Sequence, residues 1–187
     1  FYKINYNDSR FIFITLVITL ILFSSFRYDV GMDYLMYYEM VSNYSNEYTT
    51  TLSNFNDFEF THGVIINFLF LIIDDRFVVF CIYLFLNAAL TITCFAVFIN
   101  KFSDDKYLSL FIFMSFPIFY LSSFNAVRMF SAVSLFFVSL QYIKQKCLFK
   151  FYLVCTICIL LHKVSIVIIP LYFILNRTIS VLQYLLI

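Results

Sequence analysis

Apolar residues run almost without interruption for stretches approaching about twenty positions in this chain, and no other feature restricts its fold so strongly. A water-soluble core does not need such runs. A hydrocarbon layer about 30 Å thick does, because a helix advances only about 1.5 Å per residue. Composition agrees: hydrophobic residues fill 63% of the 187 positions and charged residues only 12%, far from the balance of soluble domains. Open strands would leave backbone N–H and C=O groups unpaired in lipid. A barrel would need apolar and polar residues in alternation, and here the apolar residues are continuous. The chain is therefore expected to be all-α, a polytopic integral membrane helical bundle forming one transmembrane domain over 1–187.

Five segments are the expected spans: Phe11–Phe26, Phe77–Ile99, Tyr107–Phe124, Val127–Ile143 and Phe151–Leu175. Gly63–Ile73 is apolar but too short to cross, and suits a re-entrant or interfacial helix. Short cytoplasmic loops carry the basic excess. The Lys144–Lys150 loop, the Asn100–Lys106 loop with Lys101 and Lys106, and the start of the chain with Lys3 and Arg10 then fall on one side. That side is read as cytoplasmic. The segment 27–76, the connection around Asn125 and the Asn176-Arg177 pair fall on the opposite, extracytoplasmic side. The chain starts at Phe1, and Ile179 to Ile187 stops within another apolar pattern, so an internal fragment is expected.

The formal net charge of +1 provides no field to gather nucleic acid. Cys155 and Cys158 form a CxxC inside an apolar helix without a second pair, which reads as packing rather than metal ligation.

Three clusters carry candidate chemistry. Arg27-Tyr28-Asp29-Val30-Gly31-Met32-Asp33-Tyr34 follows the first span, placing a cation, two carboxylates and a hinge glycine at the outer surface. The plain alternative is an interfacial belt that anchors a helix end. Asn125, Arg128 and Ala132 fall at i, i+3 and i+7 on one helix face. Arg128 lies in a first helical turn, where the dipole disfavours a cation by a few tenths of a kcal/mol. It either snorkels to lipid phosphate or grips a diphosphate bidentately. Ser131, Ala132 and Ser134 are small enough for close helix contact. His162-Lys163 lies mid-segment, where a charge costs about 2.5–3.5 kcal/mol. It lines a cavity, or else Lys163 snorkels and His162 makes one interhelical hydrogen bond. Pro170 is expected to kink that helix. His62-Gly63 reads as a turn device with an exposed histidine.

Taken in order, these landmarks give a resemblance. Arg27-Tyr-Asp-Val-Gly31-Met-Asp33-Tyr34, Asn125-x-x-Arg128-x-x-x-Ala132 and Leu161-His162-Lys163-Val-Ser165 make the chain, from about Phe11 to Asn176, resemble the EpsG family of Wzy-like polysaccharide polymerases of bacterial exopolysaccharide and O-antigen clusters. Met129 stands where family members often have Gln. Thr61-His62-Gly63-Val64 stands where they often carry a Glu-Pro-Gly or Glu-x-Gly-Tyr element.

The resemblance implies a glycosyltransferase-type polymerase of the bacterial inner membrane. It joins undecaprenyl-diphosphate-linked oligosaccharide units at the outer face, in contact with membrane lipid and other polysaccharide-assembly proteins. Arg27 and Arg128 clamp the diphosphate, with Asp29, Asn125 and Lys163 also binding substrate and Asp33 or His162 as base. No metal or cofactor is implied, since arginines supply the positive charge. Two rivals stand beside it: a transporter or flippase of a lipid-linked saccharide, with His162 and Lys163 on its pathway, and a membrane acyltransferase acting on the polymer.

Overall fold

The computed structural model describes residues 6–46 and 60–176, and every regular element among them is helical. The order is α1 (Tyr6–Ser25), α2 (Tyr34–Asn46), α3 (Phe60–Phe70), α4 (Arg76–Phe102), α5 (Lys106–Ser115), α6 (Ser122–Asn125), α7 (Val127–Lys144), α8 (Leu148–Leu161), a 3-10 turn (Lys163–Ile168) and α9 (Leu171–Asn176). Lys3, Arg177, the 179–187 stretch and positions 47–59 of the expected outer segment lie outside the described residues.

Helix α4 is the axis of the bundle and packs against α1, α2, α3, α5 and α7. Its buried positions include Phe80, Leu84, Asn87, Ala88, Thr91, Ile92, Phe95 and Ile99, spaced three and four apart. On α1 the inward residues Phe13, Val17 and Leu20 keep the same spacing and meet Ala88, Ile92, Phe95 and Ala96. A second core joins Tyr34, Tyr37 and Val41 of α2 with Ile66, Leu69 and Phe70 of α3 and Val79, Phe80 and Tyr83 of α4. Aspartates start two of the helices. Asp75 accepts from the Val78 amide, and Asp105 accepts from the Tyr107 and Leu108 amides, satisfying N–H groups that have no intrahelical partner.

Outward positions are apolar too. Phe11, Ile14 and Ile18 of α1 and Leu108, Phe111 and Ile112 of α5 are exposed. Singly exposed apolar residues are ordinary, but whole helix faces of them need an apolar environment or a partner.

Two of the expected spans end early, each for a local reason. The Tyr107–Phe124 segment is not one helix: α5 stops at Ser115, and Phe116 is extended with φ −85° and ψ 118°. Proline disfavours the helical conformation in the residue before it, and Pro117 follows. The Phe151–Leu175 segment breaks at His162 rather than at Pro170. His162 takes φ −155° and ψ 111°, and the chain resumes as a 3-10 turn. Among the described residues, α4 alone is long and apolar enough to cross a bilayer. Helix α7 has 18 residues but carries Ser131, Ser134, Ser139 and Gln141. The short apolar helix forms as expected, as the 11-residue α3.

Charges sort between the two ends of the bundle. Ser9 at the start of α1 hydrogen-bonds Tyr107, and Lys101 hydrogen-bonds Gln141. These contacts bring Arg10, the Asn100–Lys106 loop and the end of α7 to one end. The chain from Arg27 to Asp33, together with Asn125 and Arg128, lies at the other.

Candidate functional site

Beyond α1 the chain must reverse quickly to begin α2. Asp29 and Gly31 supply the reversal with φ of 51° and 107°, the left-handed region that Asp tolerates and Gly occupies freely. The loop is fastened from outside. The Asn125 side-chain oxygen accepts a 2.8 Å hydrogen bond from the Met32 amide. A Cβ at Gly31 would lie 2.8 Å from that same oxygen and 3.3 Å from the Phe124 carbonyl. Gly31 and Asn125, 94 positions apart in the chain, thus form one joint. Asp33 ends the loop at the N-cap position of α2, its carbonyl accepting from the Tyr37 amide. Asp29 is exposed and Asp33 half-buried.

Arg27 points inward rather than to the outer surface. Its guanidinium lies 4.8 Å from the centre of the Phe124 ring and faces a cavity of about 10 Å³ shared with Ser24, Asn87, Thr91 and Ser123, the lower limit for one water. Its Nε is buried and meets no hydrogen-bond acceptor among the described residues. Burial lowers its pKa to about 10, with the Tyr37, Tyr34 and Tyr120 phenols acting in the opposite sense. The group remains a cation at neutral pH. Beneath it, Ser131 Oγ lies 3.0 Å from Asn87 Oδ1 and 3.2 Å from Thr91 Oγ1, and Asn87 Nδ2 donates to the Tyr83 carbonyl. The wall below Arg27 is therefore polar but internally satisfied.

Arg128 projects from the first turn of α7, 5.8 Å from the centre of the Tyr37 ring. Tyr37 also acts electrostatically on Arg27, so one buried phenol is neighbour to both arginines. One turn along α7, Ala132 is 1% exposed and packs against Cys158 and Leu161 of α8. Its carbonyl lies 3.3 Å from Cys158 Sγ. A larger side chain there would separate α7 from α8.

The third cluster is reached through that contact. Helix α8 makes its last regular bond from the His162 amide to the Cys158 carbonyl, and the Ser165 amide then turns to the His162 carbonyl. The Leu161 carbonyl is released and accepts from His62 Nε2 at 3.1 Å. His62, expected at the surface, is 0% exposed. Its other nitrogen lies 3.1 Å from the Tyr83 hydroxyl. His162 itself is half-buried and Lys163 exposed. The structure thus gathers Arg27, Asp29, Asp33, Asn125 and Arg128 at one end. His162 and Lys163 connect to them through α7 and the Ala132 contact.

Two parts of this arrangement were not visible beforehand. The role of His62 was hidden because a lone histidine before an apolar helix has no signature in sequence. Asn87 and Thr91 were hidden inside a run that otherwise reads as a plain span; a polar pair at i, i+4 in such a run is the available signal.

No curated protein and no solved structure matches the chain. The EpsG family model matches residues 10–187, nearly the whole chain and including all three of these clusters, so the chain belongs to the EpsG family.

Proposed function

We propose that this protein is a Wzy-like polysaccharide polymerase, crossing the bacterial cytoplasmic membrane several times. It joins polyprenyl-diphosphate-linked oligosaccharide units at the outer face. The observation that carries this reading is the pair of arginines around Tyr37, one of them with a buried Nε that meets no acceptor among the described residues. Buried polar groups are nearly always satisfied, and a buried cation is costly unless it has a partner. A diphosphate supplies acceptor oxygens and negative charge together. The gathering of Arg10, Lys101 and Lys144 at the opposite end supports a cytoplasmic position for that end and an outer position for the arginines.

In the reaction, a sugar hydroxyl of one unit attacks the anomeric carbon of another. The new C–O bond forms as the bond to the diphosphate breaks, and the leaving group carries away the electron pair. Arg27 and Arg128 stabilise the charge that grows on it. The hydroxyl proton passes to a carboxylate or imidazole within reach. Asp33 shares the pinned loop with Arg27 and is the better placed base; His162 stands one helix away. With its oxygen held by Met32, Asn125 offers its amide N–H groups to substrate. Asp29 and Lys163, both exposed, contact the saccharide further out.

The test is a polysaccharide ladder from cells carrying Arg128→Ala in the complete reading frame, with membrane abundance measured alongside. Collapse to single repeat units on their carrier is the expected outcome. An unchanged ladder at normal abundance would return Arg128 to a lipid anchor.

One observation favours a second reading. Discontinuous helices with released carbonyls mark substrate paths in transporters, and α8 breaks at His162. If the variant left repeat units stranded on the inner leaflet, a flippase would replace the polymerase.

A further inference from the structure

The break in α8 presents a choice between two donors for one carbonyl. In a continuous helix the Leu161 carbonyl would accept from the Ser165 amide, four residues on. Here that amide bonds the His162 carbonyl at 2.9 Å instead, and His62 takes its place at Leu161. No proline forces this, since Pro170 lies eight residues further on. Freed carbonyls in a bilayer must find a donor within the protein.

A backbone carbonyl only accepts, so His62 Nε2 carries the hydrogen. In the neutral imidazole Nδ1 then accepts from the Tyr83 hydroxyl. The ring is held at both nitrogens and is 0% exposed. Gly63, also buried, follows it on α3, and α3 packs directly against α8.

We infer that His62 is a positioning residue: its Nε2–H substitutes for the Ser165 amide at the Leu161 carbonyl, holds α8 open at this point, and thereby sets where His162 and Lys163 project. The importance of those two side chains rests on the polymerase reading; the helix break does not.

The experiment uses the full-length protein with His62→Gln and His62→Leu. Gln presents a carbonyl to Tyr83 and an amide N–H to Leu161, whereas Leu presents neither. Two quantities are read: polymer ladder per unit of membrane protein, and amide hydrogen exchange over residues 161–166 of the purified protein in nanodiscs. For His62→Leu we expect slower exchange, as the Ser165 amide closes the helix onto the Leu161 carbonyl, and a loss of polymer of about tenfold or more, the scale of misplacing His162 and Lys163. His62→Gln should keep the exchange pattern and hold polymer within about threefold. Unchanged or faster exchange in His62→Leu overturns the inference. Slower exchange with an intact ladder upholds it and removes His162 and Lys163 from the polymerase reading. Should His62→Leu not reach the membrane, Tyr83→Phe decides: it removes the hydroxyl that holds the ring at Nδ1 while nearly conserving volume, and exchange over 161–166 must slow, though less, or the inference fails.

Discussion

Basic side chains stand at both ends of this bundle but in different company. At one end Lys106 lies over the rings of Phe13 and Tyr107, Lys101 hydrogen-bonds Gln141, and Lys150 lies over Tyr142. Lys101, Lys144, Lys146 and Lys150 are exposed and Lys106 half-buried. At the other end the cations are arginines: Arg76 is exposed at the start of α4, while Arg27 and Arg128 are each set against an aromatic face within the fold, and Arg27 has a buried nitrogen without an acceptor among the described residues. An ammonium is a compact, strongly hydrated charge that serves well at a wet interface. A guanidinium is weakly hydrated, stacks on rings and presents a rigid fork of donors. Under the proposed function, one end sits against headgroups and the other receives the anion.

The sharpest way to break that comparison is Arg27→Ala. If the Arg27 guanidinium, with its buried Nε lacking an acceptor among the described residues, stabilises the departing diphosphate, polymer formed per unit of membrane protein should fall about 10²–10³-fold, as when one donor to a developing anion is lost. Arg27→Lys should recover only a small part, because an ammonium lacks the fork. A normal ladder from Arg27→Ala would make its buried Nε a packing accident. It would also remove the distinction between the two ends.

Next in size is Gly31→Ala. A side chain there meets a φ of 107° and a contact of 2.8 Å with Asn125 Oδ1, a strain of about 1–3 kcal/mol. The loop, not the bundle, should yield. The expected result is loss of polymer with little change in thermal stability in detergent, since the affected contacts lie at one end. Asn125→Ala removes both the clash and the pin, so its combination with Gly31→Ala should be less than additive. Full additivity would mean that the two residues do not form one joint.

How much of this was legible beforehand differs along the chain for physical reasons. Helix class and the positions of α1, α4 and α7 followed from hydrophobicity, because lipid imposes helix on any long apolar run. The clusters at Arg27–Tyr34 and Asn125–Ala132 were legible as chemistry, but their union was not. A hydrogen bond between Met32 and Asn125 spans 93 residues and leaves no periodic trace. The end of α5 is written in Pro117, but hydrophobicity continues through it and masks the stop. The break at His162 has no local marker, and the donor that meets the Leu161 carbonyl there, His62, lies on another helix. Arg27 was placed outside by its position after a span, yet only packing against Phe124 and Asn87 reveals that it turns inward.

The smallest effect should come from the end that looks most basic. Lys106 lies 5.3 Å from the centre of the Phe13 ring and 5.2 Å from that of Tyr107, so Lys106→Ala gives up cation–π contacts of about 0.5–1 kcal/mol at a half-buried site. Its aliphatic stem also covers part of the α1–α4 groove formed by Phe13, Val17, Ala96 and Asn100. Thermal stability should drop slightly and the ladder should stay near normal. Orientation should survive as well, because Arg10, Lys101 and Lys144 still mark that end for the cytoplasm. Replacing Lys101, Lys144, Lys146 and Lys150 together with Lys106 removes most of that marking, and a tag at the C-terminus should then divide between the two sides of the membrane. If Lys106→Ala alone abolished polymer at normal abundance and orientation, the basic end would be part of the chemistry. The division of labour between the two ends would then have to be abandoned.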